Sequence, residues 1–211
     1  INAPPSSPTK GELTWAQGDS IGYLGNSLNM NNTAYHDTRS THGIKMMLAH
    51  NRYYGISVFE SLALRGDQAY PATPSRQHMI ADNKIEPQNY IGIAIKAYAS
   101  GTLTDVILER NWFAPSGGGD ISCAGPATAS YVTLRNNIAD MSGSVGWNCF
   151  GTGVNDPGVG ADHVYVYNNT IFRSNNNTSN IVSVDSLTNV MVVKNNLYYC
   201  SGGCSYSINS G

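Results

Sequence analysis

Arg65 and Lys96 are the residues whose types and spacing best suit a proton-transfer reaction in this sequence. They fall near equivalent registers of two successive repeats, with Asp67 and Glu60 beside them. A lysine near a second cation has its pKa lowered and can serve as a base. A guanidinium can neutralise a carboxylate next to the carbon that loses the proton. Lys96, Arg65 and Asp67 are therefore the catalytic candidates, and a solvated surface pair is the plainer reading of the same residues. A second group is His36-Asp37-Thr38-Arg39, followed by His42. The two imidazoles suit a base or a metal ligand and Arg39 suits a carboxylate, so His36, Arg39 and His42 are the substrate-binding candidates. Ordinary hydrogen bonding in a loop is the plainer reading of the same residues. His50, His78 and His163 fall in or beside the strand pattern and read as structural.

Other chemistries find less support. Asp82, Asp105, Glu109 and Asp120 are spread over different repeats, and no two Asp are adjacent. The paired carboxylates of glycoside hydrolysis therefore have no local signature. The stretch Asn155-Asp156-Pro157-Gly158-Val159-Gly160-Ala161-Asp162 contains Gly-x-Gly-x-Asp once, a faint calcium-loop pattern that makes Ca²⁺ the one cofactor in view. No metal-ligand motif, P-loop, dinucleotide fingerprint or nucleophile elbow is present. Asn-x-Ser/Thr occurs at Asn31, Asn168, Asn176 and Asn177.

The elements that must position these residues repeat along the chain. Six segments share the form apolar-x-apolar-x-x-Asn-x-apolar, with anchor Asn at 51, 83, 111, 137, 169 and 195. The spacings are 32, 28, 26, 32 and 26 residues. Period-2 alternation over short runs bounded by Gly, Asn and Ser means strands, and no stretch sustains a helical period. Short strands recurring at this interval suit a coil whose turns stack as parallel strands about 4.8 Å apart. At a bend in such a coil an Asn tolerates the left-handed region and can bond its equivalent on the next turn, forming a ladder.

A second strand is expected at anchor +10 and +12, occupied by Ile93/Ile95, Ile121/Cys123, Trp147/Cys149 and Ser179/Ile181, with Leu62/Leu64 shifted by one. Cys123 and Cys149 then stack on adjacent turns, facing inward, as a disulfide or as two buried thiols. Cys200-Ser-Gly-Gly-Cys204 is a tight loop suited to a local disulfide. Outward positions at anchor −4 read Met47, Met79, Ile107, Thr133, Tyr165 and Met191, five of the six apolar or aromatic. Such a stripe marks a surface covered by the chain itself, or a face for a partner or for self-association. The anchor −2 positions read Ala49, Ala81, Glu109, Arg135, Tyr167 and Val193, in which Glu109 and Arg135 should pair.

Composition narrows the classes of function. The net charge of −2, from 12 Lys+Arg and 14 Asp+Glu, argues against a nucleic-acid binder. No apolar run approaches the roughly 20 residues of a membrane span. Charged residues make up 12% of the 211, so polarity comes from 23 Asn, 22 Ser and 22 Gly. An even count of four Cys in such a chain favours a secreted or cell-surface location. Residues 1–12, containing Ala3-Pro4-Pro5-Ser6-Ser7-Pro8, read as an extension before a single domain over 13–211, itself read as part of a longer chain.

The phrases Asp105-Val-Ile-Leu-Glu-Arg-Asn-Trp-Phe113 and Tyr165-Val-Tyr-Asn-Asn-Thr-Ile171 resemble repeats of secreted right-handed parallel β-helix proteins, the pectate-lyase-like group. The resemblance covers roughly residues 42–211. It implies an all-β fold, a right-handed parallel β-helix of about six or seven turns of 26–32 residues. It also implies a secreted carbohydrate-active protein, with Arg65 and Lys96 serving lyase chemistry on an acidic polysaccharide or cell-surface glycan. Lyases of this group would carry an acidic calcium cluster, which no motif here supplies. The alternative is a non-catalytic extracellular β-solenoid, a surface, adhesion or fibre module that self-associates through its apolar stripe or its ends.

Overall fold

A computed structural model describes residues 11–16, 18–31, 34–41, 43–56, 60–66, 75–88, 91–97, 102–114, 122–142, 149–151, 161–174, 182–184, 188–201 and 208–210. Every described element is a β-strand, and every pairing is parallel. The strands fall into three sheets of eight, seven and seven. The chain visits them in strict rotation, so each turn adds one strand to each sheet: a parallel β-solenoid. The first sheet includes Glu60–Gly66, Ile91–Ala97 and Ser122–Ala127, and the second includes Ser75–Ala81, Leu103–Glu109, Ser130–Arg135 and Asp162–Tyr167. The third includes Arg52–Ile56, Lys84–Pro87, Trp112–Phe113, Ile138–Asp140 and Thr170–Arg173. The first strand, Gly11–Ala16, starts within the segment read as an extension.

The repeat sets the bend between the second and third sheets. Asn26, Asn51, Asn83, Asn111, Asn137, Asn169 and Asn196 form the ladder. From Asn51 on, each Oδ1 accepts both the backbone N–H and the Nδ2 of the Asn one turn earlier, at 2.9–3.1 Å. Each Nδ2 from Asn51 on also donates to a carbonyl on the preceding turn, as Asn111 does to Ile80 and Asn137 to Leu108. Asn51 to Asn169 are buried, and the ladder satisfies amides that the bend removes from the strand pattern.

Three expectations need correction. The last anchor is Asn196, not Asn195, and the ladder starts one turn earlier, at Asn26. In Asn136-Asn137, Asn168-Asn169 and Asn195-Asn196 the second residue is the ladder member. The apolar run Val190–Val193 fits either phase, so pattern alone could not choose. With the phase corrected, Met191 and Val193 continue the inward columns of Val164 and Val166. Next, the left-handed conformation belongs to the residue before each ladder Asn: Gly25, His50, Asp82, Arg110, Asn136, Asn168 and Asn195 have φ between 53° and 70°. A second left-handed column stands at the other end of the second sheet, at Ser20, Lys45, Gln77, Asp105, Tyr131 and His163, with φ of 52–61°. The two columns are five residues apart, and Ser75–Ala81, Leu103–Glu109, Ser130–Arg135 and Asp162–Tyr167 each run through the second of them near their start.

Finally, the offset to the first sheet is not constant. The register runs Leu62–Ile93–Ala124–Phe150–Val182, because the intervening segments differ in length. Ile121, Trp147, Ser179 and Ile181 lie outside the described residues. Cys123 and Cys149 sit one position before this column and are disulfide-bonded, with Cα atoms 4.6 Å apart and both side chains buried. On the preceding strand the matching residue is Gly92, where a Cβ would lie 2.7 Å from the Cys123 carbonyl oxygen and 3.0 Å from Ile85 Cγ2. Cys200 is also disulfide-bonded, while Cys204 lies outside the described residues.

The interior is filled by like on like. Ile80, Leu108, Leu134 and Val166 line it from the second sheet, and Leu28, Tyr53, Ile85, Phe113, Ala139 and Ile171 from the third. Phe113 and Phe150 meet edge to face at 6.0 Å. Complete burial of each such side chain contributes roughly 1.5–3 kcal/mol before entropy is counted.

Candidate functional site

The first sheet gathers residues that are far apart in sequence. Lys96 is the register partner of Arg65, on adjacent strands, and both side chains are half-buried. Arg39 lies on the next strand, Ala34–Thr41, beside Ala63, so Arg39, Arg65 and Lys96 occupy three successive strands. His36 lies on the same strand as Arg39, opposite Glu12. Asp67 and His42 lie outside the described residues, as does the side chain of Glu60. Ser61–Leu64, Gly92–Ile95 and Cys123–Ala127 are all buried, so this stretch of sheet offers solvent neither face. Access to Arg65 and Lys96 is confined to the ends of their strands.

The second sheet does not show the open apolar stripe expected on it. Met47 is exposed, but Met79, Ile107, Thr133 and Tyr165 are only half-exposed, and Ala49 and Ala81 are buried. Instead an ion-pair network runs along the ladder bend. Arg110 clasps Asp82 through Nε and Nη2, at 2.8 Å each, and also pairs with Glu109. Glu109 in turn accepts from Arg135 at 2.6–2.7 Å, the pairing anticipated for these residues. Burial pushes the Glu109 carboxyl up, but hydrogen bonds from Arg135 and Arg110 outweigh it and hold the pKa below the usual range. A carboxylate so held is a structural anion, unsuited to proton transfer near neutral pH.

Asp162, the last residue of the calcium-like stretch, accepts from Asn189 at 3.0 Å and pairs with His163 at 2.9 Å. Residues 155–160 lie outside the described residues. Among the described residues, no three His, Cys, Asp or Glu side chains are placed to hold a metal ion together.

The third sheet presents the feature that residue spacing did not single out. Its outer face carries two rows. One row runs Arg52, Lys84, Trp112, Ile138, Thr170 and Leu197 in direct register. Trp112, Ile138 and Leu197 are half or more exposed, at 50%, 51% and 62%. The other row includes Tyr54, Glu86, Asp140, Phe172 and Tyr199. Tyr199, 55% exposed, stacks on Phe172 with ring centres 5.4 Å apart.

At one end of this face the Arg52 guanidinium lies 4.5 Å from the Tyr54 ring centre, and Lys84 Nζ lies 5.7 Å from that of Trp112. Glu86 binds Arg52 at 2.6 Å and Lys84 at 2.8 Å, so two cations share one carboxylate. Burial raises the Glu86 pKa, but hydrogen bonds from Arg52 and Lys84 win and lower it. These positions lie at anchor +1 and +3. Extending the same register past the Asn would have exposed the pattern. Several large apolar side chains exposed on one sheet face are unusual and make this face the binding candidate.

No family model matches the chain, and no curated protein and no solved structure matches it.

Proposed function

We propose that this chain is an extracellular carbohydrate-binding β-solenoid, akin in build to the pectate-lyase-like group, that holds an acidic polysaccharide along the outer face of its third sheet. The observation that carries the reading is the exposed Trp112–Ile138–Leu197 row beside the Phe172–Tyr199 stack, ending in the Arg52 and Lys84 cations. Aromatic rings present apolar faces to the C–H faces of pyranose rings, and their rigidity keeps the entropic cost of ordering low. Arg52 and Lys84 carry one more charge than Glu86 cancels, so this end of the face suits a carboxylate, with Asp140 two strands away in the neighbouring row. The buried Cys123–Cys149 bond favours an oxidising compartment.

Affinity electrophoresis through gels containing pectate, alginate or a glycosaminoglycan tests the reading. At least one polymer should retard the protein, less so at high salt. Trp112→Ala should weaken retention about tenfold, the scale of one lost aromatic stack with its cation. Unaltered mobility in every gel overturns it.

A lyase is the second reading, favoured by the juxtaposition of Arg39, Arg65 and Lys96 on three successive strands. Lys96 would take the proton and Arg65 neutralise the uronate, with Asp67 beside them and His36, Arg39 and His42 holding substrate. Incubation with the same polymers should then produce the ultraviolet absorbance of an unsaturated uronate, abolished in Lys96→Ala. Absence of that absorbance with every polymer retires the lyase reading and leaves binding untouched.

A further inference from the structure

The outer face of the third sheet is a strip, and its proportions fix how a polymer can lie on it. Arg52, Lys84, Trp112, Ile138, Thr170 and Leu197 stand in register on six successive turns. Successive turns rise by about 4.8 Å, so this row is roughly 24 Å long. The second row lies two residues further along each strand, roughly 7 Å away. The strands are short, two residues at Trp112–Phe113 and three at Ile138–Asp140. A sugar chain laid across them would run off the sheet almost at once. Laid along the solenoid axis, it meets a side chain on every turn. An extended chain of pyranoses joined through equatorial bonds advances by close to one turn's rise per sugar, so one ring falls on each turn.

Charge is unevenly placed along the strip. The cations Arg52 and Lys84 stand on the first two of these turns and share Glu86, which lies in the second row. Two turns beyond Lys84, Asp140 stands in the same second row, about 10 Å further along the axis. Its Oδ1 accepts from the Ser142 N–H at 3.1 Å and from the Ser142 hydroxyl. These neutral donors leave its charge in place, and among the described residues no cation pairs with it. Salt screens over about 8–10 Å, so Arg52 and Lys84 are too far to offset it. The cations therefore belong to the first row, and the second row carries both acids.

We propose that the third sheet holds a glycan along the solenoid axis, one sugar to a turn, in which uronates alternate with neutral sugars. The proposal rests on the carbohydrate reading of this face and names the polymer. In an extended two-fold chain, every second sugar turns the same edge to the same side. The uronates of an alternating polymer then all project toward one row. With a uronate on the Arg52 turn, the next fall on the Trp112 and Thr170 turns, toward the first row. Neutral sugars fall on the turns of Lys84, Ile138 and Leu197, and their hydroxyls can donate to Asp140. A polymer with a carboxylate on every sugar has no such register. Half of its carboxylates project toward the second row, beside Glu86 and Asp140, where like charges repel.

Titration with two hexasaccharides at low salt tests the proposal. One comes from hyaluronan, which alternates uronate and neutral sugar, and the other from polymannuronate, which carries a carboxylate on every sugar. Both are joined through equatorial bonds. The wild type should bind the hyaluronan hexamer about fivefold more tightly, the scale of one exposed charge pair. Asp140→Asn keeps an Oδ1 for Ser142, so it should retain the wild-type circular dichroism. It should tighten the mannuronate hexamer about fivefold and leave the hyaluronan hexamer within about twofold. Hyaluronan affinity should climb with length through six sugars. Equal affinity for the two hexamers, or an Asp140→Asn change that moves both alike, overturns the proposal while the carbohydrate reading stands. So does affinity that levels off at about three sugars, the mark of a chain lying across the strands. If neither hexamer nor any polymer in the gels is bound, the carbohydrate reading falls and this proposal falls with it.

Discussion

His78 stands in the inward column that otherwise holds Val106, Val132 and Val164. It is buried, and its Nε2 lies 2.8 Å from Ser75 Oγ, while Nδ1 has no partner among the described residues. Burial pushes its pKa down to about 4, against about 6.5 in an unfolded chain. Between those values the unfolded state binds the proton and the folded state does not, so stability falls as pH falls from 6.5 to 4 and levels off below. The loss is on the order of 3 kcal/mol over that window. Urea midpoints measured across it should track this curve. The double variant His78→Val, Ser75→Ala, which removes both members of the pair, should flatten the His78 contribution; an unchanged slope would mean that the imidazole is solvated. Asn136 poses a different single-residue question. It is exposed and held at φ 54°, a region that β-branched side chains avoid. Asn136→Val should destabilise by about 1–2 kcal/mol in the same assay, and Asn136→Gly should be nearly neutral.

The ladder acts at the scale of the bend. Asn111 donates its N–H and Nδ2 to Asn137 and its Nδ2 to Ile80, and accepts both donors of Asn83. Asn111→Ala would strand the backbone N–H of Asn83 and one of its two Nδ2 hydrogens, and would take the Nδ2 donor from the Ile80 carbonyl; Asn137 Oδ1 would keep only the backbone N–H of residue 111. Buried polar groups left unpaired cost about 1–3 kcal/mol each, so the variant should lose at least about 3 kcal/mol. Asn196→Ala at the partly exposed end should lose far less, and equal losses in urea melts would show that the ladder is not the source. This element is also where the sequence was most legible. A polar residue recurring inside an apolar register marks either a surface turn or a structural polar column; the fixed apolar register on both sides favours the column, and five of the six expected anchors are ladder members. Pattern does not distinguish Asn195 from Asn196, because Val190–Val193 is apolar in both phases. The first sheet was less legible because the segments entering it vary in length, so no fixed offset exists to read. The third-sheet face was missed for another reason. Its strands are short, Trp112–Phe113 being two residues, and alternation is invisible within two residues. Only comparison from turn to turn brings Arg52, Lys84, Trp112 and Ile138 into one row. Proximity in sequence groups Arg39 with His36 and His42, whereas its neighbours across the sheet are Trp15 and Ala63.

At the scale of the whole molecule the solenoid is a stack in which each turn touches only its neighbours, so stability should vary along its axis. The inner turns are wholly buried, as at Val106, Leu108, Val132 and Leu134, and Cys123–Cys149 ties two of them together. On the last described strands of the second and third sheets Met191, Val193 and Tyr198 are only partly buried. Local opening should therefore start there and move inward, as expected where few apolar contacts hold a segment. Amide hydrogen exchange should show Met191–Lys194 and Leu197–Cys200 exchanging first and Val106–Leu108 and Val132–Leu134 last. The Cys123–Cys149 bond closes a 26-residue loop, which in the chain-entropy account is worth about 3–4 kcal/mol. Replacing both cysteines with Ala should speed exchange at Cys123–Ala127 and in the strands stacked on it while leaving 191–200 unchanged, because those amides already open without disturbing the staple. Uniform protection from Gly22 to Cys200, or a cysteine effect that reaches the last turn in full, would show that the turns unfold as one cooperative body. The axial gradient would then have to be abandoned.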